Sequence, residues 1–285
     1  MTPHAKTEPL ASRALEIHAF GRTDPGRVRP GNEDHFLVAD LTRTLRVRQT
    51  SLSQASTHRS RGRGHVLLVA DGMGGHAAGE VASALTVETV EGFVVELLRR
   101  FSNLQADDES GVLADLREAV KQADARIFEE SESNPEFAGM GTTLTMAFAS
   151  GKRLFVFHAG DSRAYLCRGG RLARLTEDHT VTAELVRSGA ITPEQAKSHP
   201  SRHVVTNILG GGHAGVHVDV RRAELEAGDV VLLCSDGLTD MLDDARITAV
   251  LTDEADPEAA CGRLIAEANA AGGKDNITAV VARYA

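Results

Sequence analysis

Short apolar runs bounded by glycine, aspartate or serine alternate along this chain with longer stretches in which apolar residues recur every three or four positions. The first pattern predicts buried strands and the second amphipathic helices. Strands are expected over residues 15–22, 35–39, 66–70, 142–149, 153–158, 164–168, 230–234 and 277–283. Helices are expected over 80–100 and over 112–130, where Val112, Leu116, Val120, Ala123 and Ile127 share one face. A short helix is expected over 180–189. Another opens at Thr192-Pro193-Glu194-Gln195, with Thr192 as N-cap, Pro193 at the first helical position and Gln195 closing a capping box. Asp256-Pro257 caps a last helix that ends near Gly272-Gly273. Between 142 and 168, Ser150-Gly151, Gly160-Asp161-Ser162 and Gly169-Gly170 separate the strands, which predicts a meander of antiparallel hairpins and no βαβ unit. Strand runs interleaved with long helices predict an α+β fold with sheets packed between helices.

The 285 residues suffice for one large domain or two small ones, and a hydrophobic content of 42% is that of a chain with a real core. No repeat and no linker divides it, so residues 15–285 are expected to form a single domain after a mobile leader over 1–14. The segment 41–64 carries Arg43, Arg46, Arg48, Arg59, Arg61 and Arg63 and no acid, and is expected to be a solvated insertion loop. Residues 180–212 have little apolar pattern and are expected to form a surface flap. A formal net charge of −9 argues against nucleic-acid binding and suits a protein that concentrates cations. Cys167, Cys234 and Cys261 lack the C-x-x-C spacing of a zinc site and are too few for a disulfide framework. With no signal peptide and no apolar run long enough to span a bilayer, the expected setting is a reducing cytoplasm, away from membranes.

The stretch His65–Glu80 holds the most chemistry. An apolar run ends at Asp71, and Gly72, Gly74, Gly75 and Gly79 follow before a helix. The string from Gly72 to Ala77 also fits G-x-G-x-x-A, the dinucleotide-binding fingerprint. That alternative makes the chain a nucleotide-binding oxidoreductase. Against it, Asp71 would face the pyrophosphate, and no second strand ends in an acid about 20 residues later. The metal reading draws on more of the chain. Three strands end at Asp71, Asp161 and Asp236, and the last begins at Asp275. With the last strand antiparallel to the others, all four carboxylates emerge at one edge of the sheets. Clustered acids repel and raise one another's pKa, and divalent cations relieve that. An all-oxygen donor set selects Mg²⁺ or Mn²⁺ over Zn²⁺.

The strings RPGNED, VADGMGGHAAGE, GMGTTLT, GDSRAY, LTEDHT, CSDGLTD and GGKDNIT follow one another in that order. With them the chain resembles the metal-dependent Ser/Thr protein phosphatases of the type 2C family, in their bacterial form. The resemblance implies a four-layer α-β-β-α sandwich of two mainly antiparallel sheets flanked by helix pairs, with a two-metal centre at one end. It places Asp71 between two Mn²⁺ or Mg²⁺ ions, with the carbonyl of Gly72 and the carboxylates of Asp236 and Asp275 as further ligands. Glu33 and Asp34 would hold coordinated waters, Asp161 and Asp240 a third, weaker ion, and Asn276 would support the site. Arg29 falls at the position of the phosphate-binding arginine, whose planar fork grips two oxygens at once. The implied activity is hydrolysis of phosphoserine and phosphothreonine in proteins by direct attack of a metal-bridging water. The implied partners are a phosphoprotein and a Ser/Thr protein kinase, with the chain a monomer. Met73 stands where eukaryotic relatives carry a histidine, which leaves the general acid open between His76 and a water. His158 and His179 are expected to be structural. A catalytically silent phosphatase-like binding module is the remaining alternative.

Overall fold

The protein is seen in a computed structural model that describes residues 15–41, 44–50, 57–59, 64–74, 77–100, 109–211 and 215–285. The leader expected over 1–14 lies outside these residues. Among the described residues, fourteen strands form two sheets. The first sheet holds β1 (Ile17–Asp24), β14 (Ile277–Tyr284), β13 (Val230–Cys234), β9 (Arg163–Arg168) and β10 (Arg171–Arg174), in that spatial order. The second runs β12 (Asp219–Glu224), β8 (Arg153–Ala159), β7 (Leu144–Ser150), β5 (Gly64–Met73), β2 (Asp34–Leu41), β3 (Thr44–Thr50) and β4 (Thr57–Arg59). The short strands β6 (Gly141–Thr142) and β11 (Leu209–Gly210) attach at the end of β5. Every strand pair among the described residues is antiparallel.

The apolar runs are unbroken because both faces of the central strands are covered. In β5, Val66, Leu68 and Ala70 join the core beneath helices α1 (Ala77–Arg100) and α2 (Glu109–Ser133), while Leu67 and Val69 join the core between the sheets. In β13, Val230, Leu232 and Cys234 face α6 (Asp244–Asp253) and α7 (Pro257–Ala270), while Val231 and Leu233 face the other sheet. The period-2 geometry of a strand sends alternate side chains to opposite faces. Three stacked cores result, in the order helix pair, sheet, sheet, helix pair. This is the α-β-β-α sandwich that the resemblance implied.

The segment expected as a solvated insertion contributes β3 and β4, which lengthen the second sheet at its edge. Its sequence alternates apolar and basic residues through Leu45, Arg46, Val47 and Arg48, the period a strand adopts. The flap expected over 180–212 holds α3 (Val181–Arg187) and α4 (Pro193–Lys197). The capping box between Thr192 and Gln195 is present in both directions.

A buried carboxylate fixes the way the chain returns from the flap. Asp124 on α2 accepts from the backbone N–H groups of Gly210, Gly215 and Val216 at 2.8, 2.9 and 3.1 Å. Asp124→Ala would strand the buried Gly210 and Val216 donors and free the exposed Gly215 N–H. The expected cost is on the order of 3 kcal/mol of unfolding free energy, read by urea denaturation; an unchanged midpoint would refute the anchoring role.

Candidate metal centre

Antiparallel pairing brings the predicted acids to one edge. In the β2–β5 register Asp34 lies opposite Asp71. Strand β7 is antiparallel to both β5 and β8, so those two run the same way, and Asp161 follows β8 at the edge where β5 ends. Asp236 follows β13, and Asp275 precedes β14, its antiparallel neighbour. Arg29, Glu33, Asp71, Gly72, Asp161, Asp236, Asp240, Asp275 and Asn276 line one cavity of about 360 Å³. Asp34 sits beside it, buried, where the Ser235 and Thr278 hydroxyls lie 2.7 Å from its Oδ2. Its other oxygen, Oδ1, is buried with no protein partner. Ser235 occupies the N-cap position of α5 (Asp236–Thr239) but makes no side-chain cap, because its hydroxyl is committed to Asp34.

Burial sets the electrostatics, and like charges add to it. Asp71 and Asp236 are pushed well above the usual carboxylate range, first by desolvation, then by neighbouring aspartates, chiefly Asp34 for Asp71 and Asp161 for Asp236. Desolvation raises Asp34 to about 6, its serine and threonine donors opposing the rise. Asp161 rises to about 7 through burial and then the charge of Asp178. Gathered carboxylates of this kind are stabilised in their charged form by cations. An orphaned carboxylate oxygen beside an all-oxygen cluster fits hard divalent cations.

Close backbone approach explains the glycines better than turn geometry does. A Cβ at Gly79 would lie 1.9 Å from Glu33 Oε2, and one at Gly72 would lie 2.1 Å from the Gly79 carbonyl oxygen. Helix α1 can thus begin against β5 and against the loop carrying Glu33. Ser83 ties the same corner by donating to the Glu33 carbonyl at 2.5 Å. Asn276 braces it from the other side. Its Oδ1 accepts from the Glu33 N–H at 2.8 Å, and its Nδ2 donates to the carbonyls of Pro25 and Gly31. Arg29, half exposed at the mouth, donates to Asp275 Oδ2 at 2.6 Å.

Several residues that sequence reasoning left without a role also line the cavity: Met73, Thr143, Arg202, His203, Val205, Met241 and Lys274. Donor atoms of His203, Asp236 and Asp240 lie within 4.8 Å of one another, so these three could hold a cation together. Among the other histidines, His158 is buried against Thr145 and the Glu177 carbonyl, and burial lowers its pKa to about 4, which keeps it neutral. His76 lies outside the described residues. The dinucleotide reading fails on topology. That site needs parallel strands around a crossover helix, whereas β5 is flanked by antiparallel β2 and β7.

The sequence profile of the family described as Protein phosphatase 2C matches residues 45–267, and the chain belongs to that family. It is 38% identical over 274 residues to the serine/threonine protein phosphatase PstP of Mycobacterium tuberculosis, spanning 96% of this chain and 46% of that protein. The chain thus covers about half the length of the first curated relatives it matches. It is 32% identical to the serine/threonine phosphatase stp of Listeria welshimeri, across 93% of this chain and 95% of the relative. The catalytic domain of a PstP solved in complex with two manganese ions superposes with a TM-score of 0.73 at 35% identity, covering 95% of this chain and 99% of that one.

Raised carboxyl pKa values have a consequence for stability. Asp34 and Asp161 hold more protons folded than unfolded between about pH 4 and pH 7, so their contribution to stability falls as pH rises through that window. Thermal melts in EDTA should therefore give a lower Tm at pH 8 than at pH 5. Mn²⁺ should raise Tm more at pH 8, and Asp236→Asn should raise the EDTA value while shrinking the Mn²⁺ shift. A pH-independent Tm in EDTA would contradict this account.

Proposed function

We propose that the chain is a metal-dependent phosphoprotein phosphatase that hydrolyses phosphoserine and phosphothreonine by direct attack of water. The observation that carries this reading is the convergence of Asp71, Asp161, Asp236, Asp240 and Asp275 on one cavity with Arg29 at its mouth. Asp71, Asp236, Asp275 and the Gly72 carbonyl would hold two Mn²⁺ or Mg²⁺ ions, with Glu33 and Asp34 holding their waters. Asp161 and Asp240 would hold a third, weaker ion, with His203 in reach of it. Bound divalent ions supply Lewis acidity toward phosphoryl oxygens and lower the pKa of water toward neutrality.

The protein's own groups do the rest. Arg29 presents a charged fork to a phosphate entering the mouth, spreading the negative charge of a loose transition state. Asn276 keeps the loop of Arg29 and Glu33 in register with Asp275. Asp34, fixed by two hydroxyls, keeps a single orientation beside Asp71. A cysteinyl-phosphate route has no candidate nucleophile. All three cysteines are buried, and burial pushes the Cys234 and Cys261 thiols up to about 12. Met73 lines the cavity without a proton to donate.

The same reading makes the substrate a phosphorylated protein and its counterpart a Ser/Thr protein kinase in a signalling pair. The chain would act as a monomer in the cytoplasm; among the described residues no helix is long and apolar enough to cross a membrane. Purified protein should release phosphate from a phosphothreonine peptide and from p-nitrophenyl phosphate in Mn²⁺, and not in EDTA. Asp236→Asn should lower kcat/KM at least about 100-fold. Equal turnover in EDTA would overturn the proposal, and no turnover under any metal would favour the silent binding module.

A further inference from the structure

His179 stands at the root of the flap and touches every piece of chain that meets there. Its backbone N–H donates to the Gly160 carbonyl at 2.8 Å, and its carbonyl accepts from the Thr206 N–H at 2.8 Å. The ring does more. Nδ1 lies 3.2 Å from the Gly160 N–H and 2.9 Å from Asn207 Nδ2, while Nε2 lies 3.1 Å from Asp219 Oδ2 on β12. Gly160 adjoins Asp161 of the cavity, and Asn207 ends the flap's return.

The partners define the ring's state. Asn207 Oδ1 accepts from the His217 N–H, and Nδ2 donates to the His217 carbonyl, so the amide faces His179 with its NH₂. Two donors thus converge on Nδ1, which must carry the lone pair, and Nε2–H is left to donate to Asp219. One neutral imidazole joins the flap's exit, the flap's return and the turn that bears Asp161. Beyond this junction the flap brings Arg202, His203 and Val205 to the cavity wall.

We propose that His179 is a positioning residue that locks the flap root to the Gly160–Asp161 turn, so that a peptide substrate meets the flap wall at a fixed distance from the carboxylates. The inference builds on the phosphopeptide reading above. It separates two substrates. A phosphopeptide long enough to touch the flap depends on the lock, whereas p-nitrophenyl phosphate is too small to need it. It also separates two variants that remove the same ring. Asparagine puts a carbonyl oxygen where Nδ1 was and keeps the acceptor. Glutamine places its amide nearer the Nε2 position, keeps a donor toward Asp219 and loses the acceptor.

The test compares the full chain with His179→Asn, His179→Gln, Asn207→Ala and the His179→Gln/Asn207→Ala double variant. Hydrogen–deuterium exchange over residues 180–207 is read first, because it requires no activity. His179→Gln and Asn207→Ala should speed exchange there about tenfold, the double variant no further, and His179→Asn should match the wild type. In Mn²⁺, His179→Gln should raise the phosphothreonine-peptide KM about tenfold, leaving kcat and both p-nitrophenyl phosphate constants within about twofold. If His179→Gln does not fold, Asn207→Ala carries both readouts. Equal effects of Asn and Gln at 179, wild-type exchange in Asn207→Ala, or equal losses on both substrates would overturn the proposal. A wild-type chain that exchanges as expected but cleaves no phosphoester would instead sink the functional reading.

Discussion

The fold is arranged around a repulsion. Six carboxylates converge on one cavity at the end of the sandwich, with a seventh, Asp34, buried beside it, and burial together with mutual charge raises the pKa of four of them. Left to relax, such groups would turn toward solvent. They are held by the frame beneath them: two sheets whose central strands are covered on both faces, so that no strand end can shift without disturbing a packed core. The cost of gathering the acids is spread over the whole sandwich, and the gathered acids become a preorganised receptor for cations.

Much of this was legible in the sequence, and the reasons are local. Strand β13 and the capping box at Thr192 follow from an unbroken apolar run and a four-residue motif. Asp71, Asp161 and Asp236 were legible because each follows an apolar run, and Asp275 because it opens one, whereas Glu33, Asp34 and Asp240 came only from the resemblance. The edge strands were not. β10 and β12 bury little, so RLAR and DVRRAE carry no alternation to read. In the arginine-rich segment, the sheer number of charges hid the alternation that makes β3 a strand. The helix α6 is a different case. Asp243 caps it and Ile247, Val250 and Leu251 are buried, so its signal was present but short.

The site held less visible layers. Position in the chain marks Asp71, Asp236 and Asp275, but nothing local says that Ser235 and Thr278 would serve Asp34, since those contacts join residues 201 and 244 positions apart. His203 is similar. Its distance to Asp240, 3.6 Å, is a property of how the flap folds back, and an isolated histidine in a polar segment has no period that would announce it. Nothing local gives the reason for glycine at positions 72 and 79 either. Their structural reason is that helix, strand and loop approach within a side chain's width.

The opposition of Asp34 to Asp71 across β2 and β5 limits how this chain can change length. Inserting or deleting a single residue inside either strand would invert the facing of every side chain beyond it, moving a carboxylate from the cavity into a core. The outer pair β3 and β4 carries no such obligation, because it lies at the far edge of its sheet. Additions are therefore tolerable at that margin and lethal at the centre, and homologues of unequal size should differ there while the spacing within β2 and within β5 stays constant.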